Sequence, residues 1–289
     1  MEAWLPDFAE SLGRQNADAF DLVIVNDGLD PGSLADLQSG FNCTILEPSG
    51  ENAANRLTGF RRLLRAGYSH TVFADADDRM SPDRVRISVQ LLREFDIAVN
   101  DLDIMGTDGE IITKGFWSGR LQDMAPIHKN DLLNSNMIGL GNSSVRTSIL
   151  EDLVLHQDIQ ALDWYLFTLL LYREYRAVFT TRTSTHYRQH DANILGAGTG
   201  EMGEPALKKW IRIKAAHYRA LKGLSGAHRQ KHAFYSELES KIDEPGVLAA
   251  HMASVSRTQS QAGSQAGSRP ESRSGTQPGK ANPFWFERV

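Results

Sequence analysis

The stretch "HTVFADADDRMSPDRV", residues 70–85, places Asp75, Asp77 and Asp78 within four residues directly behind an apolar run. Like charges about 4 Å apart cost on the order of 4 kcal/mol at an effective dielectric near 20. Such a cluster is either a polar turn or a cation site. In a locally extended D-x-D segment, Asp75 and Asp77 point to one side and Asp78 to the other, toward the turn before Ser81. A hard divalent ion, Mg²⁺ or Mn²⁺, would reverse the sign of the repulsion and admit a diphosphate.

Other residue types capable of chemistry recur along the chain. "VNDG" puts Asp27 behind a second apolar run, and "LDWYLF" puts Asp163 in the first turn of an apolar helix. A helix N-terminus is expected to hold the Asp163 carboxyl ionised. "THYRQHDANILG" offers Arg188 and His190 in a polar loop, and "IGLGNSSVR" reads as a glycine- and asparagine-rich loop lining a site.

The elements that must position these groups alternate between strand and helix. A helix is expected over 5–15, a strand over 20–28, a second strand in "NCTILEPSG", and a helix from about Glu51 with Ala54, Leu57, Phe60 and Leu64 on one stripe. The third strand leads into the acids. A helix follows, with Ser81 as N-cap, Pro82 first inside, Asp83 on the dipole, and Val85, Val89 and Leu92 buried. Residues 96–112 read as strand, turn at Asp108-Gly109, strand. Nearly continuous apolar strands alternating with helices imply an α/β fold with a mostly parallel sheet flanked by helices. In such sheets ligands bind beyond the carboxyl ends of strands, where "VNDG" and "ADADD" both lie.

Composition narrows the class. The chain has 289 residues, 41% hydrophobic, enough for a substantial core. The run "WYLFTLLLY" is far short of the ~20 residues that span a bilayer. The N-terminus carries acids where a signal peptide carries bases. A single cysteine, Cys43, rules out an internal disulfide, and a reducing, cytoplasmic setting is expected. Residues 205–289 hold 14 Lys+Arg against 6 Asp+Glu, whereas residues 1–204 hold 17 against 30. The acidic body argues against nucleic-acid binding.

Three regions are expected. These are a catalytic-type domain over 1–204, basic helices over 205–250, and a Ser/Gly/Gln-rich tail over 251–289 that is too polar to order itself and ends in the apolar "NPFWFERV". The helices have an apolar stripe, Leu207, Trp210, Ile211, Tyr218 and Leu221, with solvated lysines. Peripheral contact with an anionic membrane face is the sharper reading of the same charge.

"FAESLGRQNADAFDLVIVNDG", "FADADDRMSPDRV", "LDWYLF" and "YRQHDAN", in this order over residues 5–200, resemble a family 2 glycosyltransferase of the GT-A (Rossmann-like) fold. The resemblance implies inverting hexosyl or deoxyhexosyl transfer from a UDP- or dTDP-linked donor to a saccharide or lipid-linked acceptor, in bacterial surface polysaccharide or glycoconjugate synthesis. By the same resemblance Asp27, Arg56, Asp75 and Arg188 face the donor, and Asp77 and His190 face the metal. Asp163 is the general base, and Asn136, Gly139, Asn142 and Trp164 lie at the acceptor. Asn26 and Leu162 stand where the family carries acids, and Asn55-Arg56 reverses its usual order. The family's apolar strand ahead of the first helix is not in this sequence. A catalytically degenerate nucleotide-sugar-binding or scaffold protein is the alternative. A phosphohydrolase with Asp75 as nucleophile ranks third, because Asp78-Arg79 stand where Thr or Val is usual.

Overall fold

The two leading apolar runs form β1 (Leu22–Val25) and β2 (Cys43–Leu46), a parallel pair that makes its own two-stranded sheet. The computed structural model describes residues 2–17, 19–48, 50–190 and 203–252. Contacts group the chain into two units, Met1–Asn193 and Ile194–Val289.

In the first unit, α1 (Leu5–Gly13) buries Leu5, Phe8 and Leu12 at helical spacing, and α2 (Ala35–Gly40) buries Leu37. These side chains share one apolar cluster with Met80. The next helix, α3 (Asn52–Arg65), buries Ala53, Asn55, Gly59 and Phe60. Ala54, Leu57 and Leu64 of the expected stripe are only half-buried, because Gly59 lets the helix approach Val25 on a neighbouring face.

The larger sheet has the order β3-β8-β5-β9-β4, built from β3 (His70–Val72), β4 (Arg79–Met80), β5 (Ile97–Met105), β8 (Ser143–Arg146) and β9 (Ala177–Arg188). β6 (Ile111–Thr113) joins β5, after a turn in which Gly109 has φ +86°, and β7 (Pro126–Ile127) joins β9. This sheet is mixed, which corrects the mostly parallel expectation. β5 and β9 run parallel, but β3/β8, β5/β8, β4/β9, β5/β6 and β7/β9 are antiparallel. Apolar runs report burial of both faces, and burial does not fix strand direction.

Flanking helices complete the layers. α4 (Arg84–Leu91) starts from Asp83 rather than Ser81, whose backbone N–H instead donates to Ser184 O. α5 (Leu162–Tyr172) is buried nearly all round, as its sequence requires. The "SSVR" segment, expected in a loop, is strand β8. Its serines are buried and donate to Leu140 and Ala98 carbonyls, which removes the usual polar signature of a surface loop.

In the second unit, α6 (Glu204–Leu221) and α7 (Gly226–Ser240) pack through Leu207, Ile211, Leu238 and Ile242. Tyr218 stacks on Tyr235 at 5.3 Å. Lys214 is fully buried, against the expectation of solvated lysines; burial, then repulsion from Lys231, pulls its pKa to about 7. Residues 247–252 are helical. The rest of the expected tail, 253–289, lies outside the described residues. Among the described residues no helix is long and apolar enough to cross a membrane.

Candidate nucleotide-sugar site

Two antiparallel registers enclose the acidic turn. Val72 pairs with Ser144, and the Phe73 N–H donates to Ser143 O at 3.1 Å. Continuing that register three residues places Gly141 opposite Asp75. On the other flank Arg79 pairs with His186, so Asp77 falls beside Arg188 at the carboxyl end of β9. Gly141 is glycine for a spatial reason. A Cβ there would stand 2.7 Å from Asp75 Oδ2 and 3.1 Å from Asp78 Oδ2.

Asp163, in the first turn of α5, enters the same space. Its Oδ1 accepts the Trp164 N–H at 2.8 Å, and a Cβ on Gly139 would lie 3.6 Å from its Oδ2. The Asn136 amide also donates to this carboxylate. Burial raises the Asp163 carboxyl above its ordinary value despite those donors and the charge of Arg56. The helix terminus therefore does not hold it down as expected, since desolvation outweighs it here. Burial likewise raises Asp75, helped by Asp77 and Asp163 and opposed by Arg56 and Arg84. Asp78 is 3% exposed and driven well above its ordinary value by burial, then by Asp75 and Asp77.

Sequence reasoning missed the layer beneath. Arg84 is fully buried; its Nε donates to Asn100 Oδ1 at 3.0 Å and its Nη2 to Phe73 O at 2.5 Å. Burial lowers its pKa to about 10, opposed by Asp78 and Asp75. Asn100 Nδ2 then donates to Thr185 Oγ1 at 3.0 Å, and Thr185 donates to Gly141 O at 2.8 Å. A polar chain thus runs from the cation below the acids to the loop above them. A lone arginine in a helix's first turn carries no sequence signal for such a role. Asp78 also departs from the expected turn role, because its Oδ1 accepts the Arg188 N–H at 2.8 Å.

His190 and Asp77 are brought together, with Nε2 donating to Asp77 Oδ2 at 2.9 Å. His190 Nδ1 is buried and has no hydrogen-bond partner among the described residues. Among the described residues no three His, Cys, Asp or Glu side chains form a metal cage. Mg²⁺ and Mn²⁺ in phosphate sites use one or two protein ligands and take the rest from phosphate and water, so the Asp77 carboxylate suits them; His190 could share the ion only after its Nε2 leaves Asp77.

Several expected ligands sit elsewhere. Arg188 belongs to β9, not to a loop, and is 1% exposed. Its guanidinium donates to Asp77 O, Thr107 O and Asp7 Oδ2, so it braces the turn rather than reaching a phosphate. Trp164, expected at the acceptor, is fully buried with Nε1 donating to Leu132 O at 2.7 Å; its indole packs the core. Asn142 is 2% exposed and spent on the loop, accepting the Gly139 N–H and donating to Asn100 O. Asn136 is buried against Asp163, and Gly139 lies beside the same carboxylate. Arg56 lies between Asp75 and Asp163 electrostatically. Asp27 stands exposed after β1, in a turn where Gly28 has φ +95° and Asn26 caps Leu29; no contact joins it to the acids among the described residues. Beyond His190, residues 191–196 of "THYRQHDANILG" lie outside the described residues.

No family model matches the chain. No curated protein matches its sequence. Solved structures do match its fold. Staphylococcus aureus TarS residues 1–349 in complex with UDP-GlcNAc matches with a TM-score of 0.57 at 14% identity, over 81% of this chain and 68% of that one. The same TarS fragment with UDP gives 0.54 at 13%, over 85% and 70%. The mannosyltransferase PcManGT from Pyrobaculum calidifontis, in complex with GDP-Man and Mn²⁺, gives 0.54 at 11%, over 92% and 76%. The chain has a GT-A-like α/β fold.

Proposed function

We propose that this chain transfers a hexosyl or deoxyhexosyl group from a nucleotide-diphosphate sugar to an acceptor hydroxyl, with inversion and with assistance from Mg²⁺ or Mn²⁺. One observation carries the reading: Asp163 and Asp75, distant in sequence, lie close enough for Asp163 to help raise the Asp75 carboxyl, beside the Asp77–His190 pair at the carboxyl end of β3. The glycosyltransferase fold neighbours, one with UDP-GlcNAc and one with GDP-Man and Mn²⁺, support a nucleotide-sugar donor.

An acceptor alcohol is a weak nucleophile, and a positioned carboxylate taking its proton contributes about 10²–10⁴-fold. Asp163 serves as that base. Burial raises its pKa, which makes it a stronger proton acceptor than an ordinary carboxylate. Asn136 holds the carboxylate's orientation, and Gly139 leaves room for the hydroxyl. Asp75 hydrogen-bonds the donor, and Arg56 offsets the crowding of the two acids. Asp77 would hold the divalent ion, with His190 joining it once its Nε2 leaves the Asp77 carboxylate, and the ion would supply Lewis acidity toward the leaving diphosphate. Direct displacement from the opposite face needs one base and no enzyme nucleophile. Asp27, exposed past β1, is assigned to the nucleobase.

The reading extends to bacterial surface polysaccharide or glycoconjugate synthesis in the cytoplasm, with a saccharide or lipid-linked acceptor. Exposed Arg212 on α6, Lys222 just past its end and Arg229 on α7 support peripheral attachment to the inner membrane face. Calorimetry with UDP and Mn²⁺ tests the donor site: binding is expected, and Asp77→Ala should abolish its Mn²⁺ dependence. Intact metal-dependent binding in that variant would overturn the assignment. UDP binding without turnover across UDP- and dTDP-sugars would favour a binding protein instead.

A further inference from the structure

β9 touches both walls of the candidate site. At its carboxyl end Arg188 holds the acidic turn, its N–H donating to Asp78 Oδ1 and its Nε to Asp77 O, each at 2.8 Å. Three residues earlier Thr185, fully buried, reaches the other wall. Its hydroxyl donates to Gly141 O at 2.8 Å while accepting from Asn100 Nδ2 at 3.0 Å. Thr185 is paired with Met80 of β4 on one side and Leu102 of β5 on the other, so the sheet sets its place from both edges. The wall it holds is not set that way. Gly139 is followed by a three-residue helical turn, Leu140–Asn142, that contains a second glycine. A single turn of this kind does not hold itself. Side-chain ties anchor it: Thr185 on Gly141 O, and Asn142 Nδ2 on Asn100 O at 3.2 Å, with Asn142 Oδ1 accepting the Gly139 N–H at 2.8 Å. Gly139 in turn lies beside the base, where a Cβ would stand 3.6 Å from Asp163 Oδ2.

We propose that Thr185 is a positioning residue for Asp163: by holding the Gly141 carbonyl, its hydroxyl fixes the Gly139–Asn142 turn against the Asp163 carboxylate, at a set spacing from the acidic turn that Arg188 holds on the same strand. That role rests on the reading of Asp163 as the base. Thr185 touches no reacting atom and acts through the turn. The turn helps to bury Asp163, and burial is what raises that carboxyl. With the tie lost, the turn loosens, water reaches the carboxylate, and its pKa moves back toward the ordinary range. A misplacement of about 1 Å away from the chemistry can cost ~10²-fold in rate. The donor side is spared, because Arg188 holds Asp77 and Asp78. A β-branched residue suits the task, since its restricted χ1 keeps the hydroxyl aimed.

The test compares the full chain with Thr185→Val, which keeps the shape and loses the hydroxyl, and Thr185→Ser, which keeps the hydroxyl. The Asp163 carboxyl is titrated by carboxyl-carbon NMR, its signal identified by its loss in Asp163→Asn. UDP binding with Mn²⁺ is read by calorimetry, and kcat as nucleotide release from a panel of UDP- and dTDP-sugars. Thr185→Val is expected to titrate Asp163 at lower pH than wild type, to lose about 10–100-fold in kcat and to bind UDP within about threefold of wild type. Thr185→Ser should restore both the titration and kcat. Should Thr185→Val not fold, Thr185→Cys, a weaker donor, is expected to shift the titration in the same direction. A lowered thermal midpoint alone, with Asp163 titration and kcat unchanged in Thr185→Val, overturns the proposal and leaves the base reading standing. A loss in Thr185→Ser equal to that in Thr185→Val does the same. Undiminished nucleotide release by Asp163→Asn, or none by wild type, overturns the base reading and this role with it.

Discussion

Gly141 stands directly opposite Asp75, close enough that one added methyl group would lie 2.7 Å from the Asp75 carboxylate oxygen. The antiparallel β3/β8 register produces this approach. Gly141→Ala should therefore displace Asp75 itself rather than a replaceable surface group. Overpacking of this kind costs about 1–3 kcal/mol. The expected outcome is a folded variant with a lowered thermal midpoint and at least tenfold weaker UDP–Mn²⁺ binding, read by calorimetry. Unchanged binding would show that Asp75 does not contact the donor.

Asp163→Asn keeps the shape and the Asn136 side of the contact but cannot accept a proton. Turnover should fall by about 10²–10⁴-fold with donor affinity retained. In wild type only the ionised carboxylate works, so kcat should decline as pH falls through a value above the ordinary carboxylate range. That acid limb should be missing from the residual activity of the variant. Nucleotide release measured from pH 5 to 9 checks both statements.

Asp78 titrates above its unfolded value because it is buried beside Asp75 and Asp77. A raised carboxyl contributes stability that is complete below the unfolded pKa, about 4, and lost as pH rises through the folded one. Asp78→Asn should therefore raise the thermal midpoint at pH 8 and change it little at pH 4, while Asn Oδ1 still accepts the Arg188 N–H. Scans of both proteins at the two pH values measure it. An equal shift at both would point to hydrogen bonding rather than charge.

Arg84→Met fills similar space but removes the donors to Asn100 Oδ1 and the Phe73 carbonyl, and leaves the acids without their buried cation. Removing one partner of a buried charged network costs about 3–5 kcal/mol. Urea unfolding should show a lower midpoint at unchanged slope. A change under 1 kcal/mol would mean the acids do not depend on Arg84.

Much of this was legible in the residues. Helices were expected where α1 and α5 lie, α5 from its dense apolar run, the Asp108-Gly109 turn marked the β5–β6 hairpin, and the acidic turn behind β3 was singled out together with Asp163 and His190. Local periodicity and turn chemistry act over a few residues, so a linear reading captures them. The buried serines of β8 and the guanidinium of Arg84 were not legible, because a polar side chain looks solvated until its buried partners are known. The resemblance assigned Arg188 and Trp164 to ligands, yet neighbouring carbonyls and the core engage them.

The amino-acid sequence by itself determined the α/β class and the placement of carboxylates behind apolar runs, since hydrophobic period and turn residues are local properties. Strand direction, the two registers around the acidic turn, and the meeting of Thr185 with Gly141 were decided only by tertiary structure. Those depend on which edges pair, and a single-residue change of register would carry Gly141 away from Asp75 and turn the acids to the other face of the sheet.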